Sequence, residues 1–176
     1  MDALPERAAD WARKIAMEID PAYEPLAPIY LEAYVRGGKE RQQLFERVAT
    51  VGGVVGDGGI SLLPYAFAAL SGIAAQVANL CGSGGLTLVG DLLACWKNWL
   101  ELARVRASAK AAKNSEDDHG ELAALRRVMA TVQRGLQQQG LAAEQCELIT
   151  YRVMKVLLQE PAQAAQLLAE FPTGNK

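Results

Sequence analysis

The chain has 176 residues, of which 22% are charged and 51% apolar, enough to build a packed core and too apolar for a disordered polypeptide. Its net charge of -2 excludes the clustered lysine and arginine with which a protein neutralises many nucleic-acid phosphates. Three cysteines, Cys81, Cys95 and Cys146, form no CxxC pair, and their odd number argues against a disulfide framework.

The charges are unevenly placed. Met1 to Arg47 carries nine acids and seven bases, Val48 to Trp96 two acids and no base, and Lys97 to Lys176 nine acids and eleven bases. From Gly58 to Gly90, thirty-three residues pass without a charged side chain. The expected organisation is one helical domain, 1–176, with amphipathic helices in 1–47 and 97–176 flanking an apolar hairpin region in 48–96. The N-terminal residues lack the basic start and apolar core of a secretory signal, so a cytosolic protein is expected.

Leu4, Ala8, Trp11, Ile15 and Ile19 recur at spacings of four and three, with Asp10, Arg13, Lys14 and Glu18 around the rest of the turn, which predicts a first amphipathic helix. Asp20-Pro21 ends it, since proline cannot continue the helix and restricts the residue before it. Pro25 and Pro28 suit the first turn of a second, short helix carrying Ile29, Tyr30, Ala33 and Tyr34, closed by Gly37-Gly38.

A third helix starts near Lys39 and passes Leu44, Val48 and Val51 into a glycine-rich run. Two readings stand there. Ala49, Gly52, Gly53 and Gly56 include small residues four apart, a spacing that lets a neighbouring helix approach closely; alternatively Gly56-Asp57-Gly58-Gly59 is the loop that ends the helix.

Ile60 to Cys81 places Leu63, Phe67, Leu70, Ile73, Val77 and Leu80 on one stripe. Ser61, Ala68, Ser71, Ala75, Gln76 and Asn79 form a small, weakly polar back that other helices could touch closely. At about twenty-two residues the segment is long enough to span hydrocarbon, although Pro64, Gln76 and Asn79 would need partners there. Gly82-Ser83-Gly84-Gly85 marks a turn, after which Leu88/Val89, Leu92, Trp96, Trp99 and Ala103 predict an amphipathic helix whose tryptophans suit either a membrane interface or a core.

Asn114-Ser115-Glu116-Asp117-Asp118 reads as a solvated linker, with Asp118 and Glu121 as a capping box for a helix through Leu122, Leu125, Met129, Val132 and Leu136 that Gly140 ends. A long helix with Cys146, Ile149, Val153, Val156 and Leu157 runs to Pro161, followed by a short one bearing Leu167, Leu168 and Phe171. No repeat and no convincing β pattern is present.

The motifs for chemistry fail in detail. Gly85 to Gly90 has the glycine gap of a phosphate-binding loop, but Asp91 occupies the lysine position and would repel phosphate. Cys81 stands where a nucleophile elbow around Ser83 needs its first glycine. A thiolate of Cys81 or Cys95 paired with His119, the one histidine, has no local signature, and Glu116, Asp117, Asp118, His119 and Glu121 match no metal-ligand spacing. Asp57 and Asp91 frame the apolar zone as hairpin ends, acid-sensitive groups or exposed residues. Arg36, Lys39, Arg41 and Arg47 before it and Lys97, Arg104, Arg106, Lys110 and Lys113 after it would hold both arms of an inserted hairpin in the cytoplasm.

The sequence therefore predicts an all-α bundle of about six or seven helices around a central apolar, Gly-rich hairpin, with no catalytic residue, cofactor or metal ligand assigned. The expected function is that of a non-enzymatic, membrane-active or membrane-associating protein whose hairpin is shielded by amphipathic helices. In layout alone, without a shared motif, the plan resembles pore-forming bacterial toxin domains. The alternative is a soluble helical interaction module, an adaptor, chaperone or assembly subunit, with the hairpin as core or interface. Membrane or partner-helix contact falls to Leu63, Phe67, Leu70, Ile73, Val77, Leu80, Leu92, Trp96 and Trp99, and close helix packing to Ala49, Gly52, Gly53 and Gly56. The expected partner is a lipid bilayer, a helical protein or a second copy, and not nucleic acid; the expected place is the cytoplasm, on or in a membrane if lipid is the partner.

Overall fold

In the computed structural model residues 6–50, 61–81, 89–98 and 119–171 are described, the side chains of 47–50 and 119–122 apart. Helix α1, Glu6–Ile19, buries Trp11, Ala12, Ile15, Ala16 and Ile19, the face its spacing predicts. The Asp20 amide still reaches the Ala16 carbonyl at 2.7 Å, and Pro21 then stops the α-helix.

Pro25 does not open the second helix. It lies inside a 3-10 helix, Pro21–Leu26, which turns the chain tightly enough for the next helix to fold back onto α1. Helix α2, Ala27–Arg36, carries Pro28 in its first turn, where the missing amide has no intrahelical partner to lose. Gly37 and Gly38 both have positive φ, 73° and 55°, so the corner between α2 and α3 (Gly38–Thr50) needs two residues free of a Cβ penalty.

Helix α4 is Leu63–Cys81. The helix starts later than Ile60 because Ser61, buried, turns its hydroxyl onto the Leu63 amide at 3.2 Å and satisfies one of the free donors at the helix start. Ser61 therefore belongs to a cap and not to the polar back of the helix. Helix α5 is described over 89–98, and here the buried stripe is Val89, Leu93 and Trp96, with Leu92 only partly covered. Val89 and Trp96 of the expected stripe are buried and Leu92 packs partly against the core, while Leu93, which the expectation left out, is fully buried.

Helix α6, His119–Gln138, ends in a Schellman motif: the Gly140 amide donates to the Gln137 carbonyl at 2.9 Å and the Leu141 amide to the Leu136 carbonyl at 3.4 Å, with Gly140 at φ 90° and Leu141 buried. Helix α7, Ala143–Gln159, and helix α8, Pro161–Glu170, complete the bundle. No strand occurs among the described residues.

Helix α4 is the hub, packing against α1, α2, α6, α7 and α8. Helices α1 and α7 run antiparallel along one side, with Lys14 Nζ 2.6 Å from Glu160 Oε1 and Lys155 Nζ 2.7 Å from Glu18 Oε1. These pairs are half-exposed and contribute about 0–1 kcal/mol each, so they fix register more than they add stability. On another side, Tyr34, Phe45, Tyr65 and Phe67 interlock α2, α3 and α4, the Phe45 and Tyr65 rings meeting edge to face at 5.1 Å.

Candidate functional site

The apolar stripe of α4 was the main candidate. Leu63, Phe67, Leu70, Ile73 and Val77 are all 0–1% exposed, covered by the surrounding helices of the bundle. Leu80 departs from the group. At 47% exposure it projects from the last turn of α4 into solvent, where the neighbouring helices no longer cover it.

Trp96 is 1% exposed and forms part of the core of the bundle. Asp91 is exposed. Trp99, Gly52, Gly53, Gly56, Asp57, the Gly82 to Gly85 turn and the acidic run Glu116 to Asp118 lie outside the described residues. Ala49 falls within α3 and His119 is the first residue of α6, where an N-cap at Asp118 would put it; the side chains of both are outside the description.

The weakly polar back of α4 makes the close helix contact expected of it. Gly72 is the point of closest approach: a Cβ built there would lie 3.1 Å from Val132 Cγ2 on α6. On either side of that contact the small side chains leave a crevice of ≈ 270 Å³ between α4 and α6, floored by Ala68, Ala75, Val132 and Leu136 and rimmed by Ser71, Gln76, Thr131 and Gln139.

Tyr34 and Arg41 also line the crevice. The guanidinium carbon of Arg41 stacks 4.2 Å from the centroid of the Tyr34 ring, and its Nη2 donates to the Tyr34 hydroxyl at 2.7 Å. Burial pushes the Tyr34 phenol above its ordinary pKa, against the opposing pull of Arg41 and of a hydrogen bond with Ser71, so it stays protonated at neutral pH. Sequence reading missed this pairing. Arg41 reads there as one of several bases flanking the apolar zone, and the signal in the sequence that could have flagged the crevice is glycine in mid-helix, at Gly72 and Gly135.

Cys81 and Cys146 are buried free thiols, and burial raises the pKa of both, away from the thiolate that a nucleophile requires. Among the described residues no three of His, Cys, Asp and Glu converge as metal ligands.

Fold and site together define an all-α helical bundle with its most apolar helix at the centre. No protein-family model, curated protein or solved structure matches the chain.

Proposed function

We propose that the chain is a non-enzymatic, soluble helical module of the cytosol that works by docking onto a helical protein, with α4 as its shared core. The observation that carries this reading is the burial of Leu63, Phe67, Leu70, Ile73 and Val77 against five neighbouring helices. Drawing α4 into a bilayer would strip each of those helices of its apolar partner, and each large side chain so uncovered costs about 1.5–3 kcal/mol. Cys81, Cys95 and Cys146 form no disulfide, which fits a reducing compartment. Burial raises the pKa of Cys81 and Cys146, which disfavours either thiol as a nucleophile.

The test is vesicle flotation and dye release with zwitterionic and anionic liposomes, at neutral and mildly acidic pH. The protein is expected to stay with the aqueous fraction and release no dye in any arm. Flotation or release in one of them would overturn the reading. Ile73→Asp sharpens the test, since a charge at a fully covered position is expected to unfold the free protein, measured by loss of the cooperative thermal transition.

A second reading rests on one observation. Leu63–Cys81, at 19 residues and a mean hydropathy of 1.3, is long and apolar enough to cross a membrane. In that reading the bundle sheathes α4 until it meets lipid, and dye release that Ile73→Asp abolishes would replace the first reading with this one.

A further inference from the structure

We propose that the crevice between α4 and α6 is a binding site for a small amphipathic carboxylate, with Arg41 holding the carboxylate and the α4–α6 floor holding the apolar body. Three observations converge on it, and none depends on which partner the bundle docks.

The first is the charge of Arg41. A guanidinium has five N–H donors, and among the described residues only Nη2 is engaged by a side chain, at the Tyr34 hydroxyl. No carboxylate among the described residues lies within ion-pair distance of it, whereas Arg36, also at the α2–α3 corner, is bracketed by Glu32 at 2.6 Å and Glu40 at 3.5 Å. The contact with the Tyr34 ring and the bond to its hydroxyl hold the guanidinium in place and leave further N–H donors for a carboxylate. Among the described residues Arg41 is the one charged residue lining the crevice, which matches a single negative charge better than a doubly charged phosphate.

The second is Gly135. It sits inside α6, where glycine costs about 1 kcal/mol relative to alanine, and its φ is not in the positive region that would demand glycine. A Cβ there would meet nothing within 4 Å, so packing does not demand glycine either. What its absence of a side chain does is keep the crevice open. Gly72 differs, because its Cβ would press on Val132.

The third is the lining. One side is apolar, through Ala68, Ala75, Val132 and Leu136, and the rim offers neutral hydrogen-bonding groups, the mixture that orients a small ligand with a polar head and an apolar body. At ≈ 270 Å³ the space suits a molecule smaller than a typical drug.

The experiment is calorimetric titration of the full chain with sodium octanoate, with 1-octanol as the same tail without the charge and inorganic phosphate as charge without the tail. Saturable octanoate binding is expected in the millimolar range or tighter, at least about tenfold stronger than octanol. Arg41→Gln is expected to reduce octanoate affinity to that of octanol. Gly135→Leu, which fills the space, is expected to abolish binding while keeping a cooperative thermal transition. No binding up to about 10 mM, octanol or phosphate binding as well as octanoate, or unchanged affinity in a folded Gly135→Leu variant would each overturn the proposal.

Discussion

Val132 presses on the one position of α4 that presents no side chain: its Cγ2 lies 3.1 Å from where a Cβ of Gly72 would stand. That is tighter than ordinary van der Waals contact, so α4 and α6 sit closer here than a residue with a Cβ comfortably permits. The contact joins the central helix to the C-terminal half of the bundle and sets the width of the crevice beside it.

Gly72→Val is therefore expected to destabilise the protein by about 1–3 kcal/mol, the usual cost of overfilling a packed contact. Adding Val132→Ala should recover part of that loss, because the second change removes the atoms that clash. Urea midpoints of the two single variants and the double variant measure the coupling, and additive effects would contradict it.

Gly135 and Gly140, five residues apart, are expected to respond with opposite sign. Gly135→Ala gains about 0.5–1 kcal/mol, since the helix interior favours alanine and the new Cβ meets nothing. Gly140→Ala loses about 1–2 kcal/mol, because its φ of 90° terminates α6 in a conformation that strains any Cβ. Thermal melts of both variants check the pair.

Phe67 and Leu80 separate core from surface on a single helix. Phe67→Ala is expected to cost about 3–5 kcal/mol at a fully buried site, whereas Leu80→Ala, at 47% exposure, stays within about 0.5 kcal/mol of the parent. A Leu80→Ala loss comparable with that of Phe67→Ala would show that the end of α4 is covered in solution.

The buried thiols give the stability a direction with pH. Cys81 and Cys146 have folded-state pKa values above the unfolded one, so the native state holds its protons longer than the unfolded chain. Below the unfolded thiol pKa of about 8.5 both states are protonated and this contribution is fully present; it is lost as pH rises from there through the folded pKa. Tyr34 adds the same sign above about pH 10. The urea midpoint is expected to be unaffected by these groups in neutral solution and to fall in alkali, and Cys146→Ala should reduce the fall. The Cys146 thiol should also react with an alkylating reagent only at the rate of unfolding.

Much of the fold was legible because apolar periodicity reports directly on burial. The stripe Trp11, Ile15 and Ile19 and the set Cys146, Ile149, Val153, Val156 and Leu157 are core in the structure, and both lie on helices where polar residues mark the opposite face. The signal weakened where polarity fades. On α5 the alternatives Leu92 and Leu93 are equally apolar, and only packing against the bundle chose Leu93. Ser61 shows a different limit, since a hydroxyl on a polar face and one capping a helix look the same until the chain's path brings it to an amide.

The candidate site was less legible for a reason of distance. Tyr34 and Arg41 stand seven residues apart but on two different helices, so the Gly37 corner between them, and not helical periodicity, brings them together. Their crevice partners Ser71 and Thr131 come from elements far along the chain.

By itself the sequence determined that this chain is helical and that its uncharged centre must be hidden from water, because both follow from local periodicity and composition. Which surfaces do the hiding was decided by the tertiary structure. Burial of α4 by five helices, exposure of Leu80, and an arginine without an acid partner among the described residues beside a glycine-lined crevice all depend on how separate helices meet, and short-range pattern carries no information about that.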